Sequence, residues 1–159
     1  MSTLKKFLKD KDYVRIPLEL TATDHFEIYA EINSVPGRFI LDTGASNTCI
    51  GMDKIERFKL ISEESVIKAA GAGATNMETL VSKSNTINLN SWEFHNLEIV
   101  LFDLKHVNEA LTAHNAEPVD GIIGADILKK TKAIIDYGKK CIYLKKKKRW
   151  VTSTLLTLF

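Results

Sequence analysis

Apolar residues recur at every second position in short runs along most of this chain, and the runs are separated by Gly, Asn, Ser or Pro. In residues 14–20, Val14, Ile16, Leu18 and Leu20 alternate with Arg15, Pro17 and Glu19. That is the two-residue period of a strand with one buried face, and Pro17 confines it to a sheet edge. Phe26, Ile28, Ala30 and Ile32 alternate with Glu27, Tyr29 and Glu31, and Ser34-Val35-Pro36-Gly37 reads as a turn into Phe39-Ile40-Leu41. A hairpin is expected there. Further strands are expected over 84–89 and 92–102 around Asn90-Ser91, and over 133–137 and 140–144 around Gly138. Residues 65–70 and 75–81 flank Gly71-Ala72-Gly73-Ala74 as a hairpin with a mobile tip. Helical spacing is brief: 125–130 reads as a short helix, 52–60 and 104–111 more weakly so. Many short strands with glycine turns favour a mostly β fold, a small closed β-barrel with one or two short helices, over a layered α/β fold.

A length of 159 residues fits one domain, and no linker or internal repeat divides it. A net charge of +2 gives no global electrostatic reason to expect an anionic partner. Two cysteines, Cys49 and Cys141, make no disulfide framework, and the first ten residues lack an apolar signal core. A cytoplasmic setting is the expectation. No segment approaches the ~20 consecutive apolar residues of a membrane span.

The chemistry concentrates in Phe39-Ile40-Leu41-Asp42-Thr43-Gly44-Ala45-Ser46, where an apolar strand runs directly into an aspartate and small turn-formers. Alone, Asp42 reads as well as a turn cap accepting backbone N–H groups as it does as a functional acid. The stretch Gly121-Ile122-Ile123-Gly124-Ala125-Asp126-Ile127-Leu128 changes that balance. A strand ending in Asp-Thr-Gly, followed by a glycine-rich hairpin, Ile-Ile-Gly and a short helix, resembles the retropepsin-like aspartic proteases of cellular and bacterial type. The ordered match runs from about Val14 to Leu144.

The resemblance implies an aspartic endopeptidase with Asp42 as the catalytic acid. Peptide hydrolysis needs a nucleophilic water and an electrophilic carbonyl at once, which two carboxylates sharing one proton provide. Thr43, Gly44, Ala45 and Ser46 would support the active-site loop. Ala70, Gly71, Ala72, Gly73 and Ala74 would form a flap over bound peptide, and Ile122, Ile123 and Gly124, with Ile40, would pack under the loop. One Asp-Thr-Gly per chain implies a homodimer with Asp42 beside its symmetry mate. Asp120, Asp126 and Asp136 are in-chain alternatives for the second carboxylate, each better explained as a turn, helix-start or strand-end residue. Many retroviral members pair an acid and an arginine where this chain has Ser46 and Ala125.

No cofactor is implied, and His25, His95, His106 and His114 show no metal-ligand spacing. Cys49 reads as a small core residue. Lys145-Lys146-Lys147-Lys148-Arg149-Trp150 reads as a solvated charge run, with a grip on phosphate backbones or an anionic membrane surface as the alternative. No nucleic-acid partner is expected. Residues 151–159 are apolar and β-prone, a candidate dimerisation strand. The whole chain, 1–159, is expected to form one protease domain with its core at about 14–144. The rival function is a catalytically silent module of the same fold that binds a peptide or protein.

Overall fold

The computed structural model describes residues 2–65, 69–71 and 74–147. In chain order the elements are α1 (Leu4–Lys9), β1 (Tyr13–Pro17), β2 (Glu19–Leu20), β3 (Phe26–Ile32), β4 (Val35–Leu41), β5 (Cys49–Gly51), β6 (Ser62–Glu64), β7 (Ala69–Gly71), β8 (Ala74–Met77), β9 (Leu80–Leu89), β10 (Trp92–Phe102), α2 (Lys105–Ala113), β11 (Gly121–Ile123), α3 (Ala125–Lys130), β12 (Ile134–Asp136) and β13 (Cys141–Lys145). A single 3-10 turn, Met52–Lys54, stands where 52–60 suggested a helix.

Six strands close into a barrel in the order β3-β4-β11-β5-β10-β9, with β9 returning to β3. The β3–β4 and β9–β10 pairs are antiparallel hairpins, whereas β4–β11 and β5–β10 run parallel. Ile32 opposite Ile87 seals the cylinder. Closure leaves these strands without a free edge, and the inward half of each alternation fills the interior. Ile28, Ile32, Phe39, Ile50, Ile87, Ile99, Leu101 and Ile123 are each at most 1% exposed there.

A second sheet, β1-β13-β12, packs against the barrel. Ile16, Ile142 and Leu144 join the barrel core from one face. On the other face, Cys141 and Tyr143 bury Leu8 of α1, with Tyr13 and Ile134 around it. The alternation in 14–20 thus divides between two sheets, because β1 follows β13 while β2 follows β3. Pro17 lies on the edge strand of the smaller sheet, as its missing N–H requires.

Two local readings change. The β3–β4 turn falls at Asn33-Ser34, both in the left-handed region with φ 50° and 67°, so Val35-Pro36-Gly37 belongs to β4. Gly37 is needed for packing instead, since a Cβ there would stand 2.7 Å from the Phe58 ring. Asn33 holds the turn against β9 through Nδ2 to Asn85 Oδ1 at 2.9 Å and Thr86 N to Asn33 Oδ1 at 3.0 Å. The strand expected over 84–89 begins earlier, at Leu80, with Ser84 at φ 61° beside a register shift against β10. A bulge breaks the two-residue period without ending the strand. Helix α1, which sequence patterning did not suggest, is capped by Thr3, whose Oγ1 accepts from Lys6 N at 3.3 Å.

Candidate active site

Strand β4 lies between β3 and β11, so Leu41 is fixed from both sides, by Phe26 and by Ile123. The chain then leaves the sheet at Asp42, whose N–H still donates to Ile123 O at 3.0 Å. Two further bonds shape the loop: Gly44 N–H donates to Asp42 Oδ1 at 2.8 Å and Ala45 N–H to Asp42 O at 3.3 Å. Asp42 is half-buried, with Thr43 and Ser46 exposed beside it. Among the described residues Oδ2 accepts no hydrogen bond, which leaves one carboxylate oxygen positioned by the loop and the other open.

The loop is anchored from below by α3. Ala125 N–H donates to Ala45 O at 2.7 Å, a backbone tie between the loop and the first residue of α3. Gly124 makes the approach possible, because a Cβ would stand 2.6 Å from Asn47 O and 2.8 Å from Ala45 O. Thr48, fully buried, accepts from Gly124 N–H at 3.1 Å and donates to Asp126 Oδ1 at 2.8 Å. Asp126 Oδ2 accepts from Thr48 N–H at 2.9 Å, and Oδ1 also accepts from Ile127 N–H at 2.8 Å. Sequence reasoning missed this clamp, although a threonine beginning an apolar Thr-Cys-Ile run must find partners once buried.

The other carboxylates are similarly engaged. Asp120 receives Arg57 Nη1 at 2.7 Å on one oxygen and Arg38 N–H at 3.0 Å on the other. Asp136 caps the β12–β13 turn through Lys139 N–H at 2.9 Å. Ile123 belongs to the barrel core beneath Asp42, whereas Ile40 and Ile122 face outward and pack with Leu111 of α2 and Val119. Cys49 is buried next to the site, and burial, reinforced by the charges of Asp126 and Asp42, pushes its thiol up to about 12. The β7–β8 pairing joins Gly71 to Ala74, so the backbone of Ala70, Gly71 and Ala74 forms a hairpin, while Ala72 and Gly73 lie outside the described residues. Residues 148–159, including the candidate dimerisation strand, lie outside them as well. Among the described residues no group of three or more His, Cys, Asp or Glu could hold a metal ion, and no helix is long and apolar enough to cross a membrane.

A closed six-strand barrel that delivers Asp-Thr-Gly from the end of a central strand, with Ile-Ile-Gly and a short helix beneath, has the architecture of the single-domain acid proteases. Solved structures agree. The chain is similar to a retropepsin-like aspartic protease from Rickettsia conorii, with TM-score 0.59 and 19% identity over 84% of this chain and 90% of that one. It is also similar to EIAV protease complexed with the inhibitor HBY-793, with TM-score 0.52 and 23% identity over 69% of this chain and 90% of that one. No curated protein matches it by sequence. The family described as aspartyl protease matches residues 28–127, and the chain belongs to that family.

Proposed function

We propose that this chain is an aspartic endopeptidase acting as a homodimer on peptide or protein substrates, with residues 1–159 forming one domain. The observation that carries the reading is Asp42. It is the aspartate of the Asp-Thr-Gly loop, one oxygen is held by Gly44 N–H and the other has no partner among the described residues. Asp120, Asp126 and Asp136 are each committed to the framework, which supports drawing the second carboxylate from a second copy. Thr43, exposed beside Asp42, offers its hydroxyl to brace the two loops against each other.

In this mechanism the two Asp42 carboxyls hold one proton between them, since close like charges force their ionisations apart. The ionised member takes a proton from water as the water oxygen attacks the peptide carbonyl. The protonated member donates to the carbonyl oxygen. Collapse of the tetrahedral intermediate breaks the C–N bond and delivers a proton to the leaving amine. The β7–β8 hairpin, with Ala70 to Ala74, serves as the lid over the bound peptide. Two buried, unpaired thiols, Cys49 and Cys141, fit a cytoplasmic setting.

The test is cleavage of a denatured protein mixture from acidic to neutral pH at several concentrations, for wild type and Asp42→Asn. The expected result is cleavage that rises more steeply than concentration and disappears in the variant. Cleavage that persists in Asp42→Asn, or no cleavage by a demonstrated dimer at any pH, overturns the reading.

A further inference from the structure

Fifteen of the 22 Lys and Arg, but three of the 20 Asp and Glu, fall in residues 1–15 and 129–149. These two segments carry a formal charge of +12 and the remainder carries −10, so the net +2 conceals a strong polarity. Both segments lie outside the family-matched residues 28–127.

The fold joins their described residues, 2–15 and 129–147, at one end of the molecule. Tyr13 pairs with Lys145 in the β1–β13 ladder, Lys146 N–H donates to Asp12 O at 2.9 Å, and Tyr13 OH donates to Lys132 O at 3.1 Å. Lys130 and Lys147 place their ammonium groups 3.8 and 5.0 Å from the same Phe94 ring centroid. Among the described residues no lysine of these segments forms an ion pair; the pairs found there lie in residues 27–120. On the same end, Leu4 and Phe7 of α1 are 49% and 52% exposed, while Leu8 anchors the helix inward.

We propose that this basic end, formed by α1, the β1-β13-β12 sheet and Lys146 and Lys147 that follow it, docks the protein on an anionic lipid bilayer. Charge complementarity selects an anionic surface, and the exposed Leu4 and Phe7 select one with an apolar layer behind its charges. Thirteen of the fifteen cations are lysines, which act as point charges and lack the bidentate fork of arginine. Tyr13 and Phe94 already carry ammonium groups over their rings, which disfavours them as platforms for stacked bases. The described residues of this face carry +10, and a second copy meeting it would bring the same charge. The acidic barrel is repelled by the same surface, so docking also orients it away from the lipid.

The experiment is sedimentation of the full chain with phosphatidylcholine vesicles, with and without phosphatidylserine, at physiological salt. Binding is expected only with phosphatidylserine and should weaken as salt rises. Replacing Lys5, Lys6, Lys9 and Lys11 by Gln should reduce partitioning about fivefold per lysine. Phe7→Ser should reduce it several-fold with the salt dependence unchanged. A control with Lys54, Lys83 and Lys105 replaced by Gln should bind as wild type does. The substituted lysines of α1 and its flank are exposed, and thermal melts check that each variant folds. Equal binding to both vesicles, no binding to either, or an equal loss per lysine in the barrel control overturns the proposal. So does tight binding of a single-stranded oligonucleotide by a chain that ignores both vesicles, which would assign the surface to nucleic acid.

Discussion

Replacing Thr48 by Val tests whether the Asp42 loop is held by the clamp beneath it. Valine keeps the volume and branching of threonine, so no cavity opens, and only the hydroxyl is lost. Two bonds go with it: the 2.8 Å donation to the Asp126 carboxylate and the 3.1 Å acceptance from Gly124 N–H. The first is charge-assisted, worth about 1.5–3 kcal/mol, and the second leaves a buried N–H unpaired at a cost of about 1–3 kcal/mol. Relaxation recovers part of this, so the expected loss is about 2–4 kcal/mol. For a chain of 159 residues that lowers Tm by about 4–16 °C. Urea titration at fixed protein concentration should show a lower midpoint with an unchanged slope. Thr48→Ser, which retains the hydroxyl, should lose only about 1 kcal/mol for its methyl group. A Thr48→Val protein within 0.5 kcal/mol of wild type would refute the argument, since two buried bonds cannot both be present and cost nothing.

Gly124→Ala should destabilise by about 1–3 kcal/mol, because its Cβ would meet the backbone oxygens of Asn47 and Ala45 at 2.6 and 2.8 Å; the urea midpoint measures it. Cys49, with its thiol pushed up to about 12, should not react with a thiol reagent at mildly alkaline pH in the folded protein and should react once denatured. Burial raises the Glu27 carboxyl above its ordinary value, only partly countered by Arg38, whose Nε lies 3.4 Å from Oε2. Folding therefore tightens proton binding at Glu27. Its contribution is fully present below the ordinary pKa of 4.5 and is lost as pH rises through the raised value. Melts of wild type and Glu27→Gln across that interval should show the difference in Tm moving in favour of Gln as pH rises; a constant difference would count against the assignment.

Where periodicity was uninterrupted, local pattern and fold agree. The strand expected over 92–102 is β10 and the helix expected over 125–130 is α3. Where local and tertiary demands competed, the reading shifted. Gly37 looked like a turn residue but is the space that the Phe58 ring requires. Ser84 looked like a strand start but sits at positive φ within a longer strand. The 104–111 pattern underestimated α2, whose stability comes from packing on Ile40 and Val119 more than from its own sequence. At the candidate site, strand-Asp-Thr-Gly and Ile-Ile-Gly were visible as motifs because each is a contiguous run. Thr48 and Asp126 were not, because their bonds span 78 positions.

The sequence by itself determined the short strands, the aspartate emerging from one of them and the excess of basic residues near both ends, because alternation, motif and charge are properties of neighbouring residues. Only the tertiary structure decided that β9 would close on β3, that α3 would grip the loop after Asp42 and that two distant basic segments would share one face. Each of those outcomes is a pairing between remote parts of the chain, selected by the burial and hydrogen bonding that the barrel satisfies collectively, and such pairings leave no local trace in the order of residues.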